Sequence, residues 1–150
     1  MSTLVAFVLF VSGMMAIHGP PCGCENRVLA NEVAAIGSLK QLREAQRRFR
    51  ESDPSGRYAE SLAELSAEGT DLIGDILGSG GKQGFGFEVK VDAANDTWCA
   101  EAHAASEHSG RRRFYLDPYG GIFESDKDPT APVPLEGHVG PPPGFRELGK

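Results

Sequence analysis

Hydrophobic residues recur along the chain with two different periods, and the first of them is helical. Five apolar residues follow one another at gaps of four, three, three and four positions: Ala35, Leu39, Leu42, Ala45 and Phe49. This spacing places them on one face of a helix whose other positions are mostly polar. A stripe of this width buries one side only, so the helix must lie on another element. The pattern predicts an amphipathic helix that begins near Glu25 and ends before Pro54.

From Phe85 onward the period changes to two, which is typical of half-buried strands. Alternation and intervening turn residues predict four strands, at residues 85–91, 98–104, 111–117 and 122–125. Between helix and strands, residues 59–65 and 71–77 read as short helices, and "GSGGKQG" (78–84) reads as a flexible connector. Short turns between consecutive strands favour an antiparallel meander. We therefore expect an α+β fold: an N-terminal helical spine packed on three or four antiparallel strands.

The two ends of the chain differ in composition from this central region. Residues 4–17 are almost wholly apolar and carry no charge. They are fewer than the ~20 residues of a usual membrane helix and match the length of a signal-peptide core. Lipid attachment at Cys22 and a buried core helix are the other interpretations. We expect a membrane anchor or export signal at 1–24, an α+β domain at 25–126, and a solvated Pro- and Gly-rich tail at 127–150.

The net charge of the chain argues against one class of partner, nucleic acid. The 150-residue chain has 24% charged residues and a formal net charge of −6. Phosphate backbones are bound by basic surfaces, so this acidic chain is not expected to bind nucleic acid.

The most suggestive polar cluster lies on the second predicted strand. Cys99, Glu101 and His103 alternate on one strand face, with Glu107 and His108 just beyond. Their spacing matches no known metal-ligand signature, and polar residues are ordinary on an outward sheet face. No nucleophile or phosphate-loop motif occurs elsewhere in the chain. The sequence therefore predicts no catalytic residues, no metal site, no cofactor and no evident small-molecule substrate.

Three further groups have ordinary structural explanations. Glu124, Asp126 and Asp128 alternate as calcium ligands can, but the EF-hand pattern is absent, and turn chemistry explains them. The three cysteines, Cys22, Cys24 and Cys99, are too few for a disulfide framework. A bridge to Cys99 is possible outside the cytoplasm, although we favour a strand residue and two loop residues. In the "RRR" run (111–113), the first and third arginines are expected to face one side of a strand and the second the other.

Five stretches occur in a recognisable order: "STLVAFVLFVSGMMAI" (2–17), "ANEVAAIGSLKQLREAQRRFRE" (30–51), "GRYAESLAEL" (56–65), "WCAEAHAAS" (98–106) and "RRRFYLDPYGGIF" (111–123). They resemble the apolar start, the rear helix, the segment after it and the late sheet of type IV pilin-like proteins, including the pseudopilins of type II secretion. The resemblance covers roughly residues 2–125. One difference is that these proteins have a glutamate near the start of the apolar segment, whereas this chain has no glutamate there and the matching position falls near Ala6.

The resemblance implies a non-enzymatic structural subunit or accessory protein of a pilus or secretion filament. Such a subunit is stored in a bacterial inner membrane by its front helix and self-associates through it, with the globular domain periplasmic or extracellular. Two alternatives remain. One is an exported or lipid-anchored binding domain that does not assemble, and the other is a small enzyme that uses Glu101, His103 and His108.

Overall fold

The computed structural model describes residues 23–94, 96–135 and 140–149. The described chain contains three helices: α1 (Cys24–Ser52), α2 (Leu62–Ser66) and α3 (Asp75–Gly78). Six strands follow: β1 (Gly81–Lys82), β2 (Phe85–Val91), β3 (Trp98–Ala104), β4 (Arg113–Leu116), β5 (Ile122–Ser125) and β6 (Arg146–Glu147). The predicted apolar anchor and Cys22 lie outside the described residues.

The six strands form one antiparallel sheet in which each strand pairs with the next in chain order. The predicted α+β arrangement, an N-terminal helix on an antiparallel sheet, is confirmed. The expected number of three or four strands is wrong, because a two-residue strand is added at each edge. Strands this short cannot show the alternation that identified the other four.

The segment expected to be a flexible connector contains one of these edge strands. Gln83 and Gly84 have φ angles of 50° and 77°, and they join Lys82 to its pairing partner Phe85. Positive φ at both central residues is the geometry of a type I′ hairpin turn, which matches the twist of paired strands. Gly84 therefore serves a tight turn here.

The predicted helix stripe forms the centre of the core. Leu39 and Leu42 are fully buried and Phe49 is nearly so. They belong to one cluster with the aromatic side chains of the sheet: Phe85, Phe87, Trp98 and Phe114. Burying a side chain of this size contributes about 1.5–3 kcal/mol. The expectation that this stripe presses on the aromatic side of the meander is confirmed.

The helix ends where the sequence predicts, and the two short helices are shifted. Asp53 has extended backbone, as the residue before a proline prefers, and its Oδ1 accepts the Ser55 N–H at 2.9 Å. Helix α2 begins at Leu62, after Ser61, whose hydroxyl accepts the Glu64 N–H at 3.2 Å. This N-cap places the start three residues later than predicted.

The second face of the sheet is covered by the C-terminal segment. Val133 and Leu135 are buried against Cys99 and Tyr115, and Phe145 packs beside them. The prediction of a solvated tail is therefore wrong for this part of the chain. Its prolines interrupt the periodicity on which the prediction depended, yet extended, proline-rich backbone can still lie flat on a sheet. The result is three layers: helix, sheet and C-terminal segment.

Candidate assembly surface and the groups that hold it

The first turns of α1, before the buried stripe begins, expose apolar side chains. Leu29 is 55% exposed and Val33 is 61% exposed, and their spacing of four places them on one helix face. Ala30 and Gly37 are exposed on the same side. We call Leu29, Ala30, Val33 and Gly37 the front surface. It is a narrow face of small and apolar groups on an otherwise charged helix.

A set of charged residues, here called the ionic clamp, fixes this part of the helix to the sheet. Its members are Glu32, Arg112, Glu124 and Arg146. Glu32 Oε1 accepts the backbone N–H groups of Arg111 at 2.8 Å and Arg112 at 3.1 Å. Glu32 Oε2 accepts from Arg112 Nε at 3.0 Å and Nη2 at 2.7 Å. Charge-assisted bonds of this kind are about twice as strong as neutral ones.

The clamp extends from the helix across the far strands of the sheet. Arg112 also donates to Glu124 on β5, and Glu124 Oε1 accepts from Arg146 Nε on β6 at 2.9 Å. Glu32 is only 4% exposed and Glu124 only 7%, so neither carboxylate has water as its main partner. The hydrogen bond that Arg112 donates to Glu32 raises the pKa of Arg112. A buried charge without its partner is costly, so Glu32, Arg112 and Glu124 depend on one another, whereas Arg146 is largely exposed.

The prediction that Arg112 and Arg113 face opposite sides is confirmed, whereas the prediction that Arg111 and Arg113 share a side is wrong. Residues 111 and 112 precede β4, which begins at Arg113, so strand alternation does not apply to them. Arg111 lies 3.5 Å from Glu25 and Arg112 contacts Glu32, both on the helix side. Arg113 lies over the Phe145 ring on the opposite face.

A second polar residue on the helix stripe, Gln46, secures the segment after α1. It is fully buried. Its Nε2 donates to the Ala59 carbonyl at 2.8 Å, and its Oε1 accepts the Ala59 N–H at 2.9 Å. One side chain thus pairs both backbone groups of a buried residue, as buried polar groups require.

The predicted polar cluster of β3 is partly enclosed beneath the C-terminal segment. Glu101 is fully buried. Its Oε1 lies 2.8 Å from His103 Nδ1, and its Oε2 accepts the Val133 N–H at 3.2 Å. Burial raises the pKa of Glu101, and His103 opposes this only in part. Both carboxylate oxygens are therefore engaged in holding neighbours.

Cys99 shares this enclosed face. It is buried and has a free thiol, and burial raises its pKa. Its neighbour Tyr115 is fully buried, and within the described chain the Tyr115 hydroxyl has no hydrogen-bond partner of ordinary geometry. Burial raises the pKa of Tyr115 as well, with the thiol adding to the shift. A thiol that resists ionisation and solvent is a packing group.

The other predicted candidates do not converge. Glu107 and His108 are exposed in the turn between β3 and β4, and Asp126 and Asp128 are exposed beyond β5. Glu124 belongs to the ionic clamp. In the portion of the chain that the structure describes, no three Cys, His, Asp or Glu side chains are grouped as metal ligands would be.

The sequence did not indicate a groove of about 650 Å³ beside the rear of α1. We call it the arginine groove, and its charged and aromatic lining residues are Arg43, Arg47, Arg50, Glu51, Tyr58, Trp98 and Tyr119. Arg43 Nη1 donates to the Gly120 carbonyl at 3.2 Å. Arg50 lies 4.6 Å from the Tyr58 ring centroid and donates to its hydroxyl. The groove thus combines cations with flat aromatic surfaces.

Only one of the three arginines forms ion pairs inside the described chain. Arg47 bonds to Glu44 at 2.6 Å and to Glu51 at 2.5 Å. The bonds from Arg47 and Arg48 lower the pKa of Glu44 to about 2. Arg43 and Arg50 contact a carbonyl and a tyrosine, neither of which cancels a charge. Glu51 also lines the groove, but it is paired with Arg47. Arg43 and Arg50 therefore leave the groove with a positive charge on an acidic protein.

Comparisons of the chain with protein-family models, with curated proteins and with solved structures gave no match. The resemblance to type IV pilin-like proteins stays a prediction from the sequence. Among the described residues, no helix has both the length and the apolar composition that a membrane crossing needs.

Proposed function

We propose that this chain is a pilin-like structural subunit of a bacterial filament of the type IV pilus or type II secretion kind. Its N-terminal segment is held in the inner membrane, and its globular domain lies in the periplasm or outside the cell. Copies associate through their N-terminal helices. The protein is not an enzyme, and its partners are the membrane and other subunits of its own kind.

The observation that supports this proposal most directly is the division of α1 into two parts. Its rear half is buried on the sheet from Ala35 to Phe49. Its front half exposes Leu29 and Val33 and begins at Cys24, seven positions after the apolar sequence of residues 4–17 ends. Leu29 and Val33 are one helix turn apart and form an apolar face that an assembling helix would bury against a neighbour.

The enclosed polar residues support a non-enzymatic role. Glu101 and His103 are the best candidates for acid–base chemistry, but a general acid or base must reach the proton that it transfers. Glu101 is fully buried, and both its oxygens are engaged by His103 and Val133. The pair is well placed to fix the C-terminal segment and poorly placed to meet a substrate.

The test is a cross-linking experiment on the full chain in bacterial membranes. A photo-reactive residue at position 33 should give covalent dimers, because the front surface of one copy lies against the helix of another. Leu29→Asp should abolish these dimers. Gln41→Asp, which adds the same charge at an exposed polar position of the same helix, should leave them unchanged.

Two results would overturn the proposal. One is the absence of dimers from position 33, with the chain washed from membranes by alkaline carbonate. The other is equal cross-linking in the Leu29→Asp and Gln41→Asp variants. Mass spectrometry of the mature N-terminus separates the alternative function: lipid on Cys22 would favour an anchored binding domain, and a methylated or leader-trimmed end would favour assembly.

A further inference from the structure

The exposed hydrophobic residues point to a second contact surface. Four large hydrophobic side chains are markedly exposed in the described chain: Leu29, Val33, Ile76 and Tyr119. The first two belong to the front surface. Tyr119, 83% exposed, lies at the arginine groove, and Ile76, 69% exposed, lies on α3. The proposed helix association accounts for neither of the last two.

Ile76 projects from the most acidic part of the chain. Residues 58–81 contain five acidic residues and no lysine or arginine. Three of them, Glu68, Asp71 and Asp75, are exposed around the two short helices. We call these three residues together with Ile76 the acidic knob. It has one apolar tip surrounded by carboxylates.

The arginine groove has the complementary character. Arg43 and Arg50 supply positive charge, while Tyr58, Trp98 and Tyr119 supply aromatic surface. An acidic segment with an apolar tip matches such a groove in both charge and polarity, and complementary charge favours encounter and register. The acidic knob fits that description, with Ile76 as the apolar tip and three exposed carboxylates around it.

The two surfaces lie on opposite flanks of α1, so they cannot meet within one molecule. Arg43, Arg47 and Arg50 face the turn between β4 and β5. Arg48 and Ser52 line a separate depression with Gly69, Thr70 and Leu72, on the side of the knob. At 100° per residue, positions 48 and 52 are roughly 160° around the helix from the three groove arginines.

We infer that the acidic knob of one copy docks in the arginine groove of the next. Such a contact joins two different surfaces, so each bound copy still has a free knob or a free groove for another copy. Repetition of the contact builds an open row of copies, unless the rotation between neighbouring copies closes the row into a ring. The inference rests on the proposed function and extends it, since helices would be joined at the front surface and globular domains by this contact. Exposed ion pairs are individually weak, so the contact acts together with the helix association.

The test uses two forms of the full chain in one membrane. The first copy has a photo-reactive residue at position 76, and the second has an affinity tag. Cross-links should map to residues 43–50 or 117–121 of the tagged copy. Arg43→Glu with Arg50→Glu in the tagged copy should reduce the yield about fivefold, as the loss of two exposed ion pairs predicts. Lys127→Glu with Lys40→Glu makes an equal change of charge and should have a smaller effect, because neither residue lines the groove.

Charge exchange provides the decisive measurement. Asp71→Arg with Asp75→Arg in the first copy should also reduce the yield, and combining it with the reversed groove of the second copy should restore it. A merely structural effect of either variant cannot be restored in this way. Absence of restoration, or cross-links that map elsewhere, would overturn the contact.

Position 33 separates this inference from the proposed function. Cross-links at position 33 without any at position 76 would reject the knob-and-groove contact and leave the filament subunit standing. Absence at both positions would reject both. Cross-links at position 76 alone would support the contact and reject assembly through the helix.

Discussion

Removal of the Glu32 side chain should destabilise the protein more than any surface substitution. Glu32 lies on the first part of α1 and accepts four hydrogen bonds, two from backbone N–H groups and two from the Arg112 guanidinium. The Glu32→Ala variant leaves all of these donors without their acceptor. It also leaves Arg112, whose side chain is 27% exposed, with only Glu124 as an acidic partner.

The size of the loss follows from the burial of this pair. Breaking a buried ion pair by removing one partner costs about 3–5 kcal/mol, because the remaining charge is left uncompensated. Arg112 keeps Glu124 and some access to water, so the lower end applies, and we expect a loss of about 3 kcal/mol. Glu32→Gln keeps an oxygen for the backbone N–H groups but loses the charge. It should cost about half as much.

Urea unfolding of the full chain in mild detergent measures both values. Trp98 is the only tryptophan and is buried in the core, so its fluorescence reports the loss of the fold. Glu25→Ala is the matched control, because Glu25 is exposed and lies 3.5 Å from Arg111. It should leave the free energy of unfolding unchanged. If Glu32→Ala unfolds at the same urea concentration as Glu25→Ala, the clamp does not stabilise the fold.

Three further tests address other parts of the structure. Burial raises the pKa of Glu101, so the folded parent should lose stability as the pH rises above about 4.5. Glu101→Gln does not titrate and should therefore gain stability relative to the parent over this range; parallel urea titrations at several pH values check the sign. Gln46→Ala should lose about 2 kcal/mol by leaving two buried backbone groups unpaired, whereas exposed Gln41→Ala should change little in the same assay. Gly110→Ala should lower the melting temperature, since a Cβ there would lie 2.5 Å from the Phe85 ring, and Gly37→Ala should raise it by removing a helix glycine from open space.

The parts of the fold that the sequence predicted are those with a long repeated pattern. The α1 stripe extends over four turns, and β2 and β3 each have seven residues. Each offers enough positions for a period to be read. The paired edges β1 and β6 have two residues each, and their pairing depends on the neighbouring strand. The covering of the second sheet face was missed because Val133 and Leu135 are separated and flanked by prolines.

The sequence did not predict the polar residues that fix α1 to its neighbours, and the reason is different. Glu32 and Gln46 lie on the apolar stripe, seven positions before and seven after Leu39. A polar residue at a stripe position signals a buried hydrogen-bonding group, and this signal was present in the sequence. Its partners were not visible, because Arg112 is 80 residues from Glu32 and Ala59 is held through its backbone. The arginine groove likewise depends on a turn, a helix and a strand brought together only by folding.

The ionic clamp explains how the front surface keeps a fixed orientation relative to the globular domain. The buried stripe begins at Ala35, so the first eleven residues of α1, 24–34, have little hydrophobic attachment to the sheet. An isolated helix of that length is marginal in water. Glu32 fixes this part to Arg112, which immediately precedes β4. Leu29 lies at the edge of the same contact, and Val33 lies farther around the helix. The apolar face is thereby presented in one orientation relative to the globular domain. Association of front surfaces would then determine how neighbouring domains are oriented, and an acidic knob would meet an arginine groove only if that orientation were fixed. A Glu32→Ala variant that keeps its fold at low temperature should therefore lose cross-links at position 76 before those at position 33.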